Sequence, residues 1–136
     1  MSVELKIQLS QISPSAAEAV IGEHRVTIDR PSSKGGSGMG PMGGELFLAA
    51  VAGCFMSNLL AAIRTRQSAV RNVHIEVKGA VADLPARFSA VDLAITADAP
   101  DREELDRLIE IADRGCIMMN TLRDKLALNI VVAMTV

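Results

Sequence analysis

With 136 residues, 49% of them apolar, the chain has material for one globular domain with its own core. Fourteen basic against sixteen acidic side chains leave a net charge of −2, so no broad positive field exists to attract a polyanion. Trp and Tyr are absent and Phe occurs three times, which removes the platforms on which bases stack. Both observations argue against a nucleic-acid partner.

Val3, Leu5, Ile7 and Leu9 alternate with Glu4, Lys6 and Gln8, the pattern of a strand with one wet face. This start lacks the basic region and apolar block of an export signal. Two cysteines without such a signal predict reduced thiols in a cytoplasm, where a disulfide is transient or catalytic. Residues 16–30 read as a hairpin turning at Gly22-Glu23. From Pro31 to Gly44 the chain holds six glycines, two prolines and three serines, so no regular element is expected there. A loop this long is either a crossover or part of a site, and its glycines do not form a phosphate-binding pattern.

A helix is predicted from Glu45 to Arg66, apolar nearly all round and therefore buried on most faces. Leu46 to Ile63 carries no charge and approaches the length of a membrane span. Five alanines together with Gly53, Ser57 and Asn58 lower its apolarity, and a buried central helix is the better reading. Two strands follow, over 73–81 and 87–96, joined near Asp83-Leu84-Pro85. Asp101 is placed to cap a second helix, with Glu104 completing a capping box and Leu105, Leu108, Ile109 and Ile111-Ala112 forming its buried stripe. Gly115 interrupts that helix, a short helical piece runs over 116–123, and residues 128–134 close as a strand. The order predicts an α+β domain with antiparallel sheets around a long helix.

Cys54 and Cys116 are the only cysteines. Each follows glycine and precedes apolar sequence containing methionine. Core packing is the ordinary fate of a lone cysteine, and Met56, Met118 and Met119 read as gap fillers. His24 and His74 fall in strand patterns and read as solvated. The two cysteines and two histidines lack every short spacing of a zinc site, so no metal or other cofactor is expected. No nucleophile elbow is present for serine hydrolysis.

The combination is more specific. Residues 35–54, Gly-Gly-Ser-Gly-Met-Gly-Pro-Met-Gly-Gly-Glu-Leu-Phe-Leu-Ala-Ala-Val-Ala-Gly-Cys, resemble the signature of the OsmC/Ohr family: a glycine-rich loop, a Pro-x-Glu-Leu helix start, an Ala-Ala pair and a helical cysteine. Arg114-Gly115-Cys116-Ile117-Met118-Met119-Asn120-Thr121-Leu122 is similar to the family's second motif, Cys-Pro-Val-x-x-x-Leu. The resemblance covers roughly residues 16–136. It implies an intertwined homodimer, with an apolar pocket at the interface, and a thiol peroxidase acting on organic hydroperoxides or hydrogen peroxide. By position, Cys54 matches the peroxidatic cysteine and Cys116 the resolving one. A dithiol, in some members protein-bound dihydrolipoamide, then reduces their disulfide.

A thiolate at Cys54 needs a stabilising neighbour, because a thiol at its ordinary pKa is mostly protonated at neutral pH. Mid-helix, the macrodipole gives little help. Arg25 and Arg30 are the candidate cations, Arg30 ranking higher for its nearness to the loop. Cys116, at an expected helix start, is predicted to have its thiolate favoured. The family's glutamate lies ten residues before the first cysteine; here that position is Gly44, and Glu45 is nine before. Nine positions on a helix turn through about 900°, placing Glu45 opposite Cys54 unless the helix starts later. That spacing is closer to the YhfA-type branch. Ile117 stands where the family has proline. The same fold without catalysis, binding a small apolar ligand, is the alternative reading.

Overall fold

The computed structural model describes residues 2–135. The chain divides into two compact units, Met1–Phe47 and Leu48–Val136.

In the first unit, strands β1 (Gln8–Gln11), β2 (Ala17–Ile21) and β3 (His24–Ile28) form an antiparallel sheet in that order. The hairpin expected at Gly22-Glu23 is present, with Ile21 opposite His24. The first strand is shorter than its alternation predicts. Gln8 pairs with Val20, close to the end of β2, so residues before it run out of partner backbone. Val3 and Leu5 are left 83% and 87% exposed. Alternation marks a strand-competent segment, but a strand forms only where an edge is present to pair with.

The glycine-rich loop is more ordered than its composition suggests, with a 3₁₀ turn over Ser32–Lys34. The buried carboxylate of Asp29 organises it. One oxygen accepts from Arg30 N–H at 2.7 Å; the other accepts from Ser37 and Met39 N–H, each at 3.1 Å. Burial alone raises its pKa, yet the amides of Met39, Arg30 and Ser37 with the Ser15 side chain hold it below the ordinary value. Gly36 runs so close to the Arg30 carbonyl that a Cβ there would lie 1.9 Å from its oxygen. The glycines thus permit close backbone approach rather than disorder.

Helix α1 (Gly43–Thr65) begins in the first unit and runs into the second. Only Val51, Phe55, Leu59 and Ala62 are fully buried, a single stripe at helical spacing. The expectation of burial on most faces is therefore corrected: within one chain the other faces are half-covered or open, and Leu60 is 45% exposed. By length and composition alone the helix also passes as a membrane span.

The second unit contains a sheet in the order β4 (Arg71–Ala82), β5 (Arg87–Asp98), β6 (Ala127–Thr135). β4 and β5 are antiparallel, but β5 and β6 run parallel from Ala90 opposite Ala127 to Asp98 opposite Thr135. This corrects the wholly antiparallel expectation. Helices α2 (Arg102–Gly115) and α3 (Ile117–Leu122) form the crossover that parallel neighbours require. Val91, Leu93, Ile95 and Ala97 of β5 join Leu105, Leu108, Ile109 and Ala112 of α2 in the core, while Ile111 stays partly exposed. Leu48 of α1 lies against β4 and β5 where Gly79 provides no side chain. A Cβ at Gly79 would sit 2.6 Å from the Phe88 ring and 2.9 Å from Leu48.

Asp101 caps α2 as expected, accepting from Glu103 N–H at 3.0 Å. The capping box is not completed. Glu104 instead accepts from the Ser68 hydroxyl at 2.6 Å, tying α2 to the segment that follows α1.

Candidate active site

Gly115 ends α2, and Cys116 takes an extended conformation (φ −82°, ψ 117°) that serves as C-cap of α2 and N-cap of α3. Its carbonyl accepts from Asn120 N–H at 3.0 Å, beginning the new helix. The side chain is completely buried. Cys54 lies in the middle of α1 and remains partly accessible. The two thiols, 62 positions apart in sequence, meet: Cys116 Sγ donates to Cys54 Sγ at 3.3 Å. A disulfide bond is about 2.05 Å long, so a small approach suffices to form one.

The two sulfurs are electrostatically unlike. At Cys54, burial raises the pKa, but the Met118 N–H, the Cys116 thiol and the Ile117 N–H together bring it below the ordinary thiol value. The stabilising groups come from the start of α3. At Cys116, burial is the largest influence and raises the pKa. The amides of Met119 and Met118 oppose it, and the neighbouring Cys54 sulfur pushes it further up. The expectation of a favoured Cys116 thiolate is therefore corrected: complete burial outweighs its position at a helix start. Negative charge is thus favoured at Cys54 over Cys116, whose thiol donates toward it.

Asn58, one helical turn beyond Cys54, touches the same site. Its Nδ2 donates to the Cys54 carbonyl at 3.0 Å and lies 3.8 Å from Cys54 Sγ. In sequence it registers only as a dent in the helix's apolarity. An amide four residues after a cysteine in an otherwise apolar helix is nevertheless a readable signal. The amides of Ile117 and Met118 leave no such trace, because backbone donors have no side-chain signature.

Of the other expected site residues, Glu45 and Arg25 have local partners. Glu45 accepts from Met42 N–H at 2.8 Å in the first turn of α1, and α1 starts ahead of it, so the later start does not occur. Arg25 pairs with Glu18 at 2.7 Å across β2 and β3. Arg30 lines a cavity of about 440 Å³ with Lys34, Ser15, Asp29 and Gly43-Gly44.

The role of the Ile117 amide is directly testable. The backbone of Cys116 has the geometry that precedes proline, proline is accepted at a first helical position, and the Ile117 side chain is 68% exposed. Ile117→Pro should therefore keep the fold and remove one donor from Cys54. The pH midpoint of Cys54 alkylation should rise and its neutral-pH rate fall roughly two- to tenfold. A superimposable pH profile would remove this amide from the account.

Solved structures share the whole fold. An OsmC-like protein from Mycoplasma pneumoniae matches with a TM-score of 0.87 and 18% identity over 100% of each chain. An organic hydroperoxide resistance protein from Elizabethkingia anophelis matches with a TM-score of 0.77 and 20% identity over 99% of this chain and 100% of that one. An organic hydroperoxide resistance protein OsmC from Legionella pneumophila gives 0.75 and 19% over 96% and 97%. Among curated protein sequences, none matches significantly. The family described as OsmC-like protein matches residues 35–131. That span includes both cysteine motifs and most of the chain, and the protein belongs to the OsmC-like family.

Proposed function

We propose that the protein is a thiol-dependent hydroperoxide reductase in which Cys54 attacks and Cys116 resolves. The carrying observation is the 3.3 Å contact between a partly accessible sulfur whose pKa is lowered and a buried one whose pKa is raised. The Cys54 thiolate displaces an alkoxide (or hydroxide) from the O–O bond and becomes a sulfenic acid, and the leaving oxygen takes a proton from solvent. Cys116 then attacks the sulfenic sulfur, forming the disulfide and releasing water. A dithiol, protein-bound dihydrolipoamide being one candidate, restores both thiols and is itself oxidised.

The electrostatics support that order of events. The negative Cys54 sulfur is one reason the Cys116 pKa is raised. Conversion of Cys54 to a neutral sulfenic acid removes that influence, so Cys116 becomes easier to deprotonate when its attack is needed.

Arg30, beside Lys34 in its cavity, is our candidate cation for substrate binding or thiolate support. Arg25 and Glu45 are the other proposed participants, although each already has a local partner. The spacing of Glu45 before Cys54 motivates placement near the YhfA-type branch. A homodimer is proposed because so much apolar surface stays uncovered in one chain: the open faces of α1, and Val3, Leu5, Ile7 and Leu9. A reducing cytoplasm is the compartment in which such a thiol pair would cycle.

The test uses reduced protein and one equivalent of an organic hydroperoxide. Both thiols should disappear together, with a mass loss of two hydrogens, and a dithiol should restore them. Survival of both thiols in excess organic hydroperoxide and in excess hydrogen peroxide would leave the non-catalytic ligand-binding reading in its place.

A further inference from the structure

We propose that Asn58 is a further catalytic residue, the side-chain donor that fixes the Cys54 sulfur and supports its charge. The inference rests on Cys54 being the attacking thiol. Positions 54 and 58 lie one above the other on the same face of α1. The Asn58 amide nitrogen carries two hydrogens. One is committed to the Cys54 carbonyl at 3.0 Å, which also settles the orientation of the amide, because only nitrogen can donate there. With that bond made, the nitrogen sits 3.8 Å from Cys54 Sγ, within the longer reach of hydrogen bonds to sulfur. The carbonyl half of the side chain turns toward Gly115, where a Cβ would stand 3.8 Å from Oδ1 and make only ordinary contact.

Local propensity points the same way. Asparagine is a poor interior helix residue, since its side chain competes for backbone bonds. In an apolar helix such a choice marks a site where another demand wins. The thiolate then receives donors from two directions: Asn58 on its own helix, and Cys116 with the opening amides of α3 opposite. That arrangement fixes the sulfur's rotamer toward its resolving partner.

The experiment measures the rate of Cys54 alkylation by iodoacetamide against pH, with the modified peptide identified by mass. Asn58→Leu keeps the size and removes the donor; its profile should shift to higher pH, with a neutral-pH rate lowered roughly two- to tenfold. Asn58→Asp keeps the shape and places a carboxylate beside the sulfur, so the drop should be larger, on the order of tenfold or more. A merely structural role predicts altered thermal stability with the thiol profile unmoved. An Asn58→Leu profile that overlays the native one overturns the proposal; if Asn58→Leu fails to fold, Asn58→Ala, which removes the donor without adding charge, decides in its place. Alkylation needs no peroxide, so absence of hydroperoxide turnover in the native protein would sink the peroxidase reading without altering this outcome.

Discussion

Cys54→Ser should reduce hydroperoxide consumption to the background rate of the buffer and reductant. The substitution changes one atom on a partly exposed face of α1, so the stripe of Val51, Phe55, Leu59 and Ala62 is untouched and the fold should persist. Everything that distinguishes Cys54 acts on a sulfur that can ionise. The amides of Met118 and Ile117 and the Cys116 thiol stabilise negative charge there, and a serine hydroxyl stays protonated whatever donors surround it. The native protein's rate should climb as pH rises through the lowered Cys54 pKa and level off at a lower pH than an ordinary thiol's would; the variant should show no such rise. Steady-state peroxide assays with a dithiol reductant measure both. Native-like turnover in Cys54→Ser would place the chemistry elsewhere.

Cys116→Ser separates the two halves of the cycle. The serine hydroxyl still donates to the Cys54 sulfur, so the first oxidation should proceed at a rate within about tenfold of the native one, the loss of one hydrogen bond setting the scale. Resolution should stop. After one equivalent of peroxide, mass spectrometry should find a single added oxygen at Cys54, and excess peroxide should carry it on to the irreversible sulfinic acid. Dithiol-supported turnover should collapse because no intramolecular disulfide forms. A disulfide-linked dimer through Cys54 would instead show that a second chain can reach the site.

Much of this was readable in the sequence, and the failures have a common cause. Periodicity located α1, α2, the β4–β5 pair and the break at Gly115, because each depends on side chains that sit close in sequence. The cysteine pair was legible through its two motifs. The parallel pairing of β6 with β5 was not, since nothing in residues 127–135 records which edge they meet. The extended first strand failed for the same reason: Val3, Leu5 and Ile7 have the right pattern and no edge to pair with in their own chain. At the site, arginine is a residue type visible in sequence, and Arg30 stands among the proposals for supporting Cys54. The groups that lower its pKa include backbone amides, which every residue but proline carries. Cys116 was misjudged because its place at a helix start was legible and its complete burial was not.

Gly79 has a consequence for how the second sheet chooses its alignment. A slip of β4 by two residues along β5 keeps every side chain on its own face, so alternation of polar and apolar positions cannot forbid it. Such a slip would bring Val77 or Val81 to the place where a single added carbon already meets Phe88 and Leu48. The one bare position in the middle of β4 therefore acts as a key that fits only one alignment. By selecting that alignment it also sets how closely Leu48 of α1 approaches the strands.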